Sequence, residues 1–261
     1  MTTLTTLGGS AAGVGTGQGC SGYLVEHNET RVVLDLGPDT LLELRKHTDI
    51  RALTAIVISH LHMDHILDLF ALRYTLAYSP APLPAPVPLW LPPGGLAFFD
   101  RAAELFAWGG GAPADFFTET FSLAEYDPDT SLSIGDLTLS FQRTDHHMPC
   151  WAMRVHVPDG GDLLYTADVA NGDKLTSFAN GVRVVLSEAT LPEAPRPGEQ
   201  RAHPHLSAEE AGQLATRAGA QTLVLTHIWE EDDPERARAH AAAVFGGDLF
   251  VARPGVTVTW A

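Results

Sequence analysis

Runs of apolar residues along the chain predict an alternation of strands and helices. Short continuous or alternating runs, typical of strands, come first in each half of the chain, and segments with the helical spacing of apolar positions follow between them. The strand-like runs are residues 2–7, 23–26, 31–36, 55–59, 87–91, 137–141, 152–157, 163–166, 182–186, 222–225 and 256–260. The helical patterns are residues 41–46, a segment from Asp64 to Leu76, and residues 94–107, 208–218 and 235–245. This order predicts an α/β layered protein, and the absence of a linker-like segment predicts one domain over residues 1–261.

A proline-rich segment at residues 79–93 interrupts the pattern. It holds seven prolines in 15 residues, a density that forbids helix and favours extended or polyproline backbone. Two interpretations are open. The segment is either a stiff surface connection into the strand at residues 87–91 or a flap that faces a substrate.

Composition and charge narrow the class of protein. Of the 261 residues, 45% are apolar, 16 are Lys or Arg and 32 are Asp or Glu, so the formal charge is −16. No run approaches the length of a membrane-spanning helix, and the first residues lack the basic start and apolar stretch of a signal peptide. Cys20 and Cys150 cannot form a disulfide framework, so we expect a cytoplasmic protein without membrane association. The acidic balance weighs against non-specific nucleic-acid binding.

Histidine is the residue type whose placement indicates chemistry. His60, His62, Asp64 and His65 form an H-x-H-x-D-H pattern directly after the apolar run at residues 55–59. Residues two apart in an extended segment point the same way, so His60 and His62 can share one ion. Asp64 and His65 follow where a helix begins and can reach a second position nearby. A polar turn capped by Asp64 is the alternative, but it leaves unexplained why four of the six residues at positions 60–65 are of metal-binding type. Imidazole and carboxylate together favour a hydrolytic Zn²⁺, Mn²⁺ or Fe site.

Three later segments complete a resemblance to the metallo-β-lactamase fold superfamily, which builds a two-metal site from such a motif and later His and Asp residues. Residues 144–149 (TDHHMP) resemble the third motif, and its H-x-x-P pattern selects His146 rather than His147. Residues 165–168 (YTAD) resemble the segment that ends in a metal-bridging Asp, and residues 225–227 (LTH) resemble the last metal-binding motif. The resemblance covers nearly the whole chain and implies a four-layer αββα sandwich.

The resemblance also implies two divalent metal ions and their ligands. The ligands of one ion would be His60, His62 and His146, those of the other Asp64, His65 and His227, and the bridging ligand Asp168. Two ions about 3.5–4 Å apart share a hydroxide whose pKa falls toward neutrality, and this hydroxide is the expected nucleophile. Zinc is the expected metal, with manganese or iron as alternatives. Asp35 matches the family's strand-end Asp, which we expect to orient a ligand or fix the backbone.

Two segments, LSEAT and HLSAEEA, are similar to the RNase Z-like phosphodiesterase branch of this superfamily. They contain Glu188 and His205. The resemblance implies that Glu188 orients His205, which donates a proton or stabilises developing charge on the phosphate. His203 is a competing candidate, and a surface residue ahead of a helix is the non-catalytic alternative for His205. The predicted catalytic residues are therefore Asp64, His205 and Glu188. Members of this branch are commonly homodimers, and we expect one here.

The spacing after the third motif favours a small substrate. RNase Z enzymes carry a basic, glycine-rich tRNA-binding arm there, whereas only residues 155–164 separate Arg154 from Tyr165. The acidic run at residues 230–233 does not help to bind a polyanion, although acidic residues are also usual at a helix start. The predicted reaction is hydrolysis of a small phosphodiester, such as a cyclic nucleotide or a cyclic sugar phosphate. The alternatives are an RNase Z-type endonuclease for tRNA 3′ ends, a lactonase or thioesterase that uses the same metals, and a non-catalytic metal-binding protein.

Other residues have weaker functional interpretations. The G-x-G-x-x-G stretch at residues 17–22 precedes a strand and opens no helix, so we expect a loop at the metal rim rather than a dinucleotide site. Cys150 is expected to fill a small buried space. Arg154 has two open interpretations, contact with an anionic substrate and pairing with a carboxylate. Trp229 is expected to pack, with lining of the pocket as the alternative.

Overall fold

The computed structural model describes residues 1–107, 113–158, 160–194 and 204–260. The strands are β1 (Thr2–Gly8), β2 (Gly22–His27), β3 (Thr30–Leu36), β4 (Ala55–Val57), β5 (Val87–Leu91), β6 (Phe121–Glu125), β7 (Leu132–Ile134), β8 (Leu137–Arg143), β9 (Trp151–His156), β10 (Leu163–Tyr165), β11 (Val184–Glu188), β12 (Thr222–Thr226), β13 (Asp248–Val251) and β14 (Thr257–Trp260). The helices are α1 (Thr40–His47), α2 (Met63–Ile66), α3 (Asp68–Tyr78), α4 (Gly95–Phe106), α5 (Asp115–Thr118), α6 (Thr176–Ala179), α7 (Ala208–Ala218) and α8 (Pro234–Ala242). None of these helices combines the length and the apolar character that crossing a membrane requires.

The strands form two seven-stranded mixed sheets. One sheet has the order β14-β1-β2-β3-β4-β5-β6, and the other has the order β13-β12-β11-β10-β9-β8-β7. Neighbouring strands are parallel from β3 to β6 and from β10 to β13, and the other pairs are antiparallel. Helices α1, α3 and α4 cover the outer face of the first sheet, and α6, α7 and α8 cover that of the second. The predicted four-layer αββα sandwich is therefore confirmed.

The alternation of side chains along each strand divides the core into three layers. On β3, Val32 and Leu34 face the opposite sheet, whereas Val33 packs beneath the helices. On β12, Val224 lies between the sheets and Leu223 lies beneath the helices. The central parallel strands are thus buried on both faces, which is why their sequences are continuously apolar.

Three strands were not predicted from the sequence, and all three are edge strands. β6 and β13 each end one sheet, and β7 ends the second sheet on its other side. Each is partly exposed, so its apolar pattern is weaker than that of a central strand. The helical pattern that begins at Asp64 is also divided, into α2 and α3. At this division the Asp68 side chain accepts a hydrogen bond from the Leu41 N–H at 2.8 Å, which ties the start of α3 to α1.

Residues 79–86, the part of the proline-rich segment that precedes β5, lie at the end of the strands opposite the H-x-H-x-D-H motif. The motif follows the carboxyl end of β4. Because β5 runs parallel to β4, the amino end of β5 lies at the other end of the strands. Helix α3 separates the motif from residues 79–86, and these residues lead into the amino end of β5. Residues 80–86 are mostly exposed. This placement favours the surface connection over the substrate-facing flap.

Candidate metal centre

The predicted metal ligands follow the carboxyl ends of strands. The H-x-H-x-D-H motif follows β4, His146 follows β8, Asp168 follows β10 and His227 follows β12. Loops at the carboxyl ends of strands are the usual location of ligand sites in α/β sheets. The structure brings the seven residues into two groups, His60, His62, His146 and Asp168 in one and Asp64, His65 and His227 in the other, and it also places His205 within reach of Asp168 and His227. Within each group the ligand atoms lie within 4.8 Å of one another.

The first group consists of three imidazoles and the carboxylate of Asp168. His62 Nδ1 lies 3.0 Å from His60 Nε2 and 3.1 Å from His146 Nε2. Asp168 Oδ2 lies 3.7 Å from His60 Nε2 and 3.5 Å from His146 Nε2. Burial lowers the pKa of all three imidazoles, that of His146 to about 4, because desolvation outweighs the attraction of Asp168 for a proton. Three neutral rings therefore converge on one point.

The second group pairs two imidazoles with the carboxylate of Asp64, and Asp168 of the first group lies beside them. Asp64 Oδ2 lies 3.1 Å from His227 Nε2 and 3.5 Å from His65 Nε2. The other oxygen of Asp168, Oδ1, lies 3.5 Å from His65 Nε2 and 3.7 Å from His227 Nε2. Burial acts to lower the pKa of His65 and His227, but Asp168 and Asp64 outweigh it and raise both pKa values. The second group thus stabilises positive charge, and each oxygen of Asp168 faces a different group.

The two groups fit divalent metal binding. His65 Nε2 is buried and has no hydrogen-bond partner among the described residues, and a bound cation would remove the cost of that isolation. Imidazole nitrogen and carboxylate oxygen are donors that Zn²⁺, Mn²⁺ and Fe accept, and neither group contains a thiol. The donor set therefore fits a hydrolytic metal site rather than a structural one.

His205 lies beside both groups and is held by Glu188. Its Nδ1 lies 3.1 Å from Glu188 Oε1 and 2.9 Å from Glu188 Oε2, and the Glu188 side chain is buried at the end of β11. The His205 ring centroid is 5.2 Å from that of His146 and 5.3 Å from that of His227. The structure thus brings the predicted pair together at the centre. The competing candidate, His203, lies outside the described residues.

Comparison with known proteins identifies the family. A family model described as the β-lactamase superfamily domain matches residues 30–228, the range that contains all of these side chains. The chain belongs to this superfamily. It is 32% identical over 250 residues to the uncharacterised protein Rv1339 of Mycobacterium tuberculosis, a match that covers 94% of this chain and 88% of that protein. It is 30% identical over 236 residues to the probable metallo-hydrolase YhfI of Bacillus subtilis, which covers 90% of each protein.

Solved structures share the fold of this superfamily member along its length. The crystal structure of the metallo-β-lactamase fold protein YhfI has a TM-score of 0.84 at 23% identity and covers 98% of both chains. A diphosphatase of the PhnP family has a TM-score of 0.73 at 17% identity, covering 100% of this chain and 98% of the other. The short form of human tRNase Z has a TM-score of 0.73 at 21% identity and covers 98% of both chains. The chain is thus a metallo-β-lactamase-fold metallo-hydrolase that is similar in sequence to ribonuclease Z proteins and shares its fold with the PhnP-family diphosphatase.

Asp35 connects the superfamily's metal motif to the strands beneath it. Its carboxylate accepts four hydrogen bonds of 2.7 Å, from the N–H and the hydroxyl of Ser59, from His65 Nδ1 and from the Tyr165 hydroxyl. These contacts fit the predicted orienting role of Asp35. Ser59 and Tyr165 were not predicted, because nothing in a strand pattern marks a buried hydroxyl as the partner of a distant carboxylate.

Left-handed backbone is concentrated at the centre. Asp35, Ala167 and His227 have φ values of 57°, 49° and 55°. Each such residue costs on the order of 1–3 kcal/mol, and such strain is commonly found at functional sites. Two of the three are candidate site residues, and Ala167 immediately precedes Asp168. The local backbone therefore turns these side chains toward the centre at the expense of stability.

Two glycine-containing segments lie against the motif. A Cβ atom at Gly37 would lie 1.8 Å from the backbone oxygen of Asp64, so only glycine permits this approach. The loop between β1 and β2 reaches the same residue, where the Ala12 N–H donates to Asp64 Oδ2 at 3.1 Å. The glycine-rich stretch thus belongs to a loop at the rim of the metal centre, as predicted from the sequence.

The remaining candidates occupy structural and surface positions. Arg154 Nε lies 2.5 Å from Asp162 Oδ2, which selects carboxylate pairing over substrate contact. Cys150 is buried between the sheets, and burial raises the pKa of its thiol. His147 is exposed and belongs to neither metal-binding group. Trp229 is 41% exposed and lines a cavity of about 160 Å³ beside the glycine-rich loop. None of the candidate metal ligands lines this cavity, so it does not place Trp229 in a pocket of the metal centre.

Proposed function

We propose that this superfamily member is a phosphodiesterase that hydrolyses a small phosphodiester, such as a cyclic one, with two divalent metal ions. The observation that carries the proposal is the position of His205. Buried Glu188 holds this ring beside the two ligand groups that share Asp168. Cleavage of a phosphodiester with an alkoxide leaving group benefits from a proton donor as well as from an activated nucleophile.

In this proposal each group holds one ion. The first ion would be held by His60, His62 and His146 and the second by Asp64, His65 and His227, and Asp168, whose two oxygens face different groups, would serve both. When bound, the ions supply positive charge that activates water and stabilises the phosphoryl oxygens. We expect zinc, with manganese or iron as alternatives, because imidazole and carboxylate ligands suit all three.

His205 supplies the proton to the leaving oxygen. Its Nδ1 faces the Glu188 carboxylate, so its Nε2 lies on the opposite side of the ring from Glu188 and is the nitrogen that we propose contacts the leaving oxygen. In the proposed step the proton on Nε2 passes to the leaving oxygen as its bond to phosphorus breaks, while the hydrogen bonds to Glu188 hold the ring in place. Glu188 also accepts a hydrogen bond of 2.5 Å from the Val169 N–H, which ties it to the residue after Asp168. The third predicted catalytic residue, Asp64, acts as a ligand of the second ion.

The short connection between β9 and β10 and the negative charge of the chain support a small substrate. β9 ends at His156 and β10 begins at Leu163, so the connection spans only residues 157–162 and has no room for an RNA-binding arm. The formal charge of −16 opposes the approach of a polyanion. The RNase Z relatives are named for cleavage of RNA, and an endonuclease for tRNA 3′ ends is accordingly the second candidate.

A substrate panel tests the proposal. Metal-loaded protein would be assayed, with and without a chelator, on cyclic phosphodiesters, bis-(p-nitrophenyl) phosphate, a tRNA precursor, lactones and thioesters. We expect chelator-sensitive hydrolysis of the small phosphodiesters. The His62→Ala variant should lose it, and His147→Ala, which changes an exposed neighbour of the third motif, should retain it. Hydrolysis confined to lactones or thioesters would contradict the proposal, and preference for the tRNA precursor would favour the endonuclease.

A further inference from the structure

Buried hydroxyl groups join two carboxylates to two of the proposed metal-binding imidazoles. Thr190 Oγ1 lies 2.8 Å from Glu188 Oε2 and 2.7 Å from His227 Nδ1. Ser59 Oγ lies 2.7 Å from Asp35 Oδ2 and 3.0 Å from His60 Nδ1. Both hydroxyl-bearing residues are buried, so water cannot substitute freely for either contact. Among the described residues, the same carboxylate–hydroxyl–imidazole arrangement thus begins at a strand carboxylate of each sheet, Asp35 on β3 and Glu188 on β11.

Counting protons at Thr190 fixes the direction of its hydrogen bonds. A hydroxyl has one proton to donate and can accept others. The oxygens within reach of that proton are Glu188 Oε2 and the His227 backbone oxygen at 2.9 Å, and neither of them can donate. The hydroxyl therefore accepts toward the ring, and His227 Nδ1 must carry a proton. His227 Nε2, which lies 3.1 Å from Asp64 Oδ2, is then the nitrogen that can offer a lone pair to an ion.

The same count applies at Ser59. Its proton is donated to Asp35 Oδ2, so the oxygen accepts from His60 Nδ1. His60 Nε2 is left to face His62 and Asp168. At His65 no hydroxyl intervenes, because Nδ1 of this ring donates directly to the Asp35 carboxylate at 2.7 Å. In these three rings Nδ1 is held by the surrounding protein and Nε2 faces the centre.

We propose that Thr190 and Ser59 are positioning residues that fix the tautomers of His227 and His60. Each hydroxyl donates a hydrogen bond to a buried carboxylate and accepts one from an imidazole, so it links the two groups. Glu188 thereby serves His205 directly and His227 through Thr190, so one carboxylate orients both the proposed proton donor and a metal ligand. This inference rests on the proposed metal site and is independent of the substrate.

Two substitutions of Thr190 distinguish the effect of its hydroxyl on metal binding from the effect of its side-chain shape. Thr190→Val keeps the branched shape and removes the hydroxyl, whereas Thr190→Ser keeps the hydroxyl. Groups that orient metal-binding histidines typically contribute about 10–100-fold in metal affinity. We therefore expect Thr190→Val to weaken binding of one ion by about 10–100-fold and Thr190→Ser to stay near the wild type. Thr5→Val removes another buried hydroxyl, whose hydrogen-bond partner among the described residues is Thr257, and should not change metal affinity.

The readout is metal competition titration together with NMR of cadmium-loaded protein that carries isotope-labelled histidine. In the wild type, His227 should couple to cadmium through Nε2 and show a slowly exchanging Nδ1 proton, and Thr190→Val should lose the slow exchange. Ser59→Ala provides the same test at His60 if Thr190→Val does not fold. Wild-type affinity and an unchanged His227 spectrum in Thr190→Val, or the matching result at His60, would overturn the inference while leaving the metal site intact. A wild-type chain that binds no metal would instead overturn the proposed function, on which the inference rests.

Discussion

Replacing His205 by alanine should lower kcat by about 10²–10⁴-fold on a phosphodiester with an alkoxide leaving group, the usual contribution of a positioned proton donor. Metal content should stay at the wild-type value, because His205 belongs to neither proposed ligand set. An alkoxide is a poor leaving group unless it is protonated as it departs, and Glu188 holds His205 at the centre for this purpose. Steady-state kinetics and metal analysis of the same preparation measure both effects.

The leaving group provides the control for His205. A p-nitrophenolate ion departs without a proton, so His205→Ala should lose much less activity on bis-(p-nitrophenyl) phosphate than on an alkyl diester. The same loss on both substrates would indicate that His205 stabilises charge on the phosphate instead. His147→Ala removes an exposed histidine next to His146 and should leave both rates unchanged. Full activity of His205→Ala on the alkyl diester would exclude the ring from proton transfer.

The Asp168→Asn variant should bind fewer than two ions tightly and lose more than about 100-fold in activity. Residues that only orient a ligand contribute about 10–100-fold, and Asp168 is proposed to contact both ions, so its contribution should be larger. The physical reason is the arrangement of its oxygens. Oδ1 faces His65 and His227, and Oδ2 faces His60 and His146, so a neutral amide weakens both sites at once. Metal analysis after dialysis and a competition titration measure the loss.

Asp145→Asn is the matched control for Asp168. Asp145 lies beside His146 in sequence, but its carboxylate is partly exposed and pairs with Lys174 at 2.6 Å. The substitution makes the same change in charge without touching either group. It should therefore keep two ions and wild-type turnover. Two tightly bound ions in Asp168→Asn, with wild-type affinity, would show that this carboxylate does not bridge the sites.

The fold and the candidate ligands could be predicted because their signals are local or ordered along the chain. The H-x-H-x-D-H motif follows the apolar run that forms β4, and central strands are buried on both faces, so their runs are continuously apolar. Edge strands give weaker signals. β13, for example, has no fully buried residue, so its sequence resembles a loop until its pairing with β12 is known.

The contacts that orient the ligands could not be predicted, because they join residues far apart in sequence. Tyr165 donates to Asp35 across 130 positions, and Thr190 contacts His227 across 37 positions. Neither residue differs in type from the many hydroxyl-bearing residues that have no such role. The left-handed backbone at Asp35 and His227 is equally invisible to periodicity, since aspartate and histidine only moderately favour it.

We propose that this chain holds two metal ions and uses them to cleave phosphodiesters. The most direct test of this proposal is turnover of bis-(p-nitrophenyl) phosphate by protein reconstituted with zinc or manganese, with ions per chain counted in the same sample and a chelated sample as the control. We expect two ions per chain and hydrolysis that stops on chelation and returns when the metal is restored. Two bound ions without hydrolysis of this diester would contradict the proposal and would direct the search to acyl substrates.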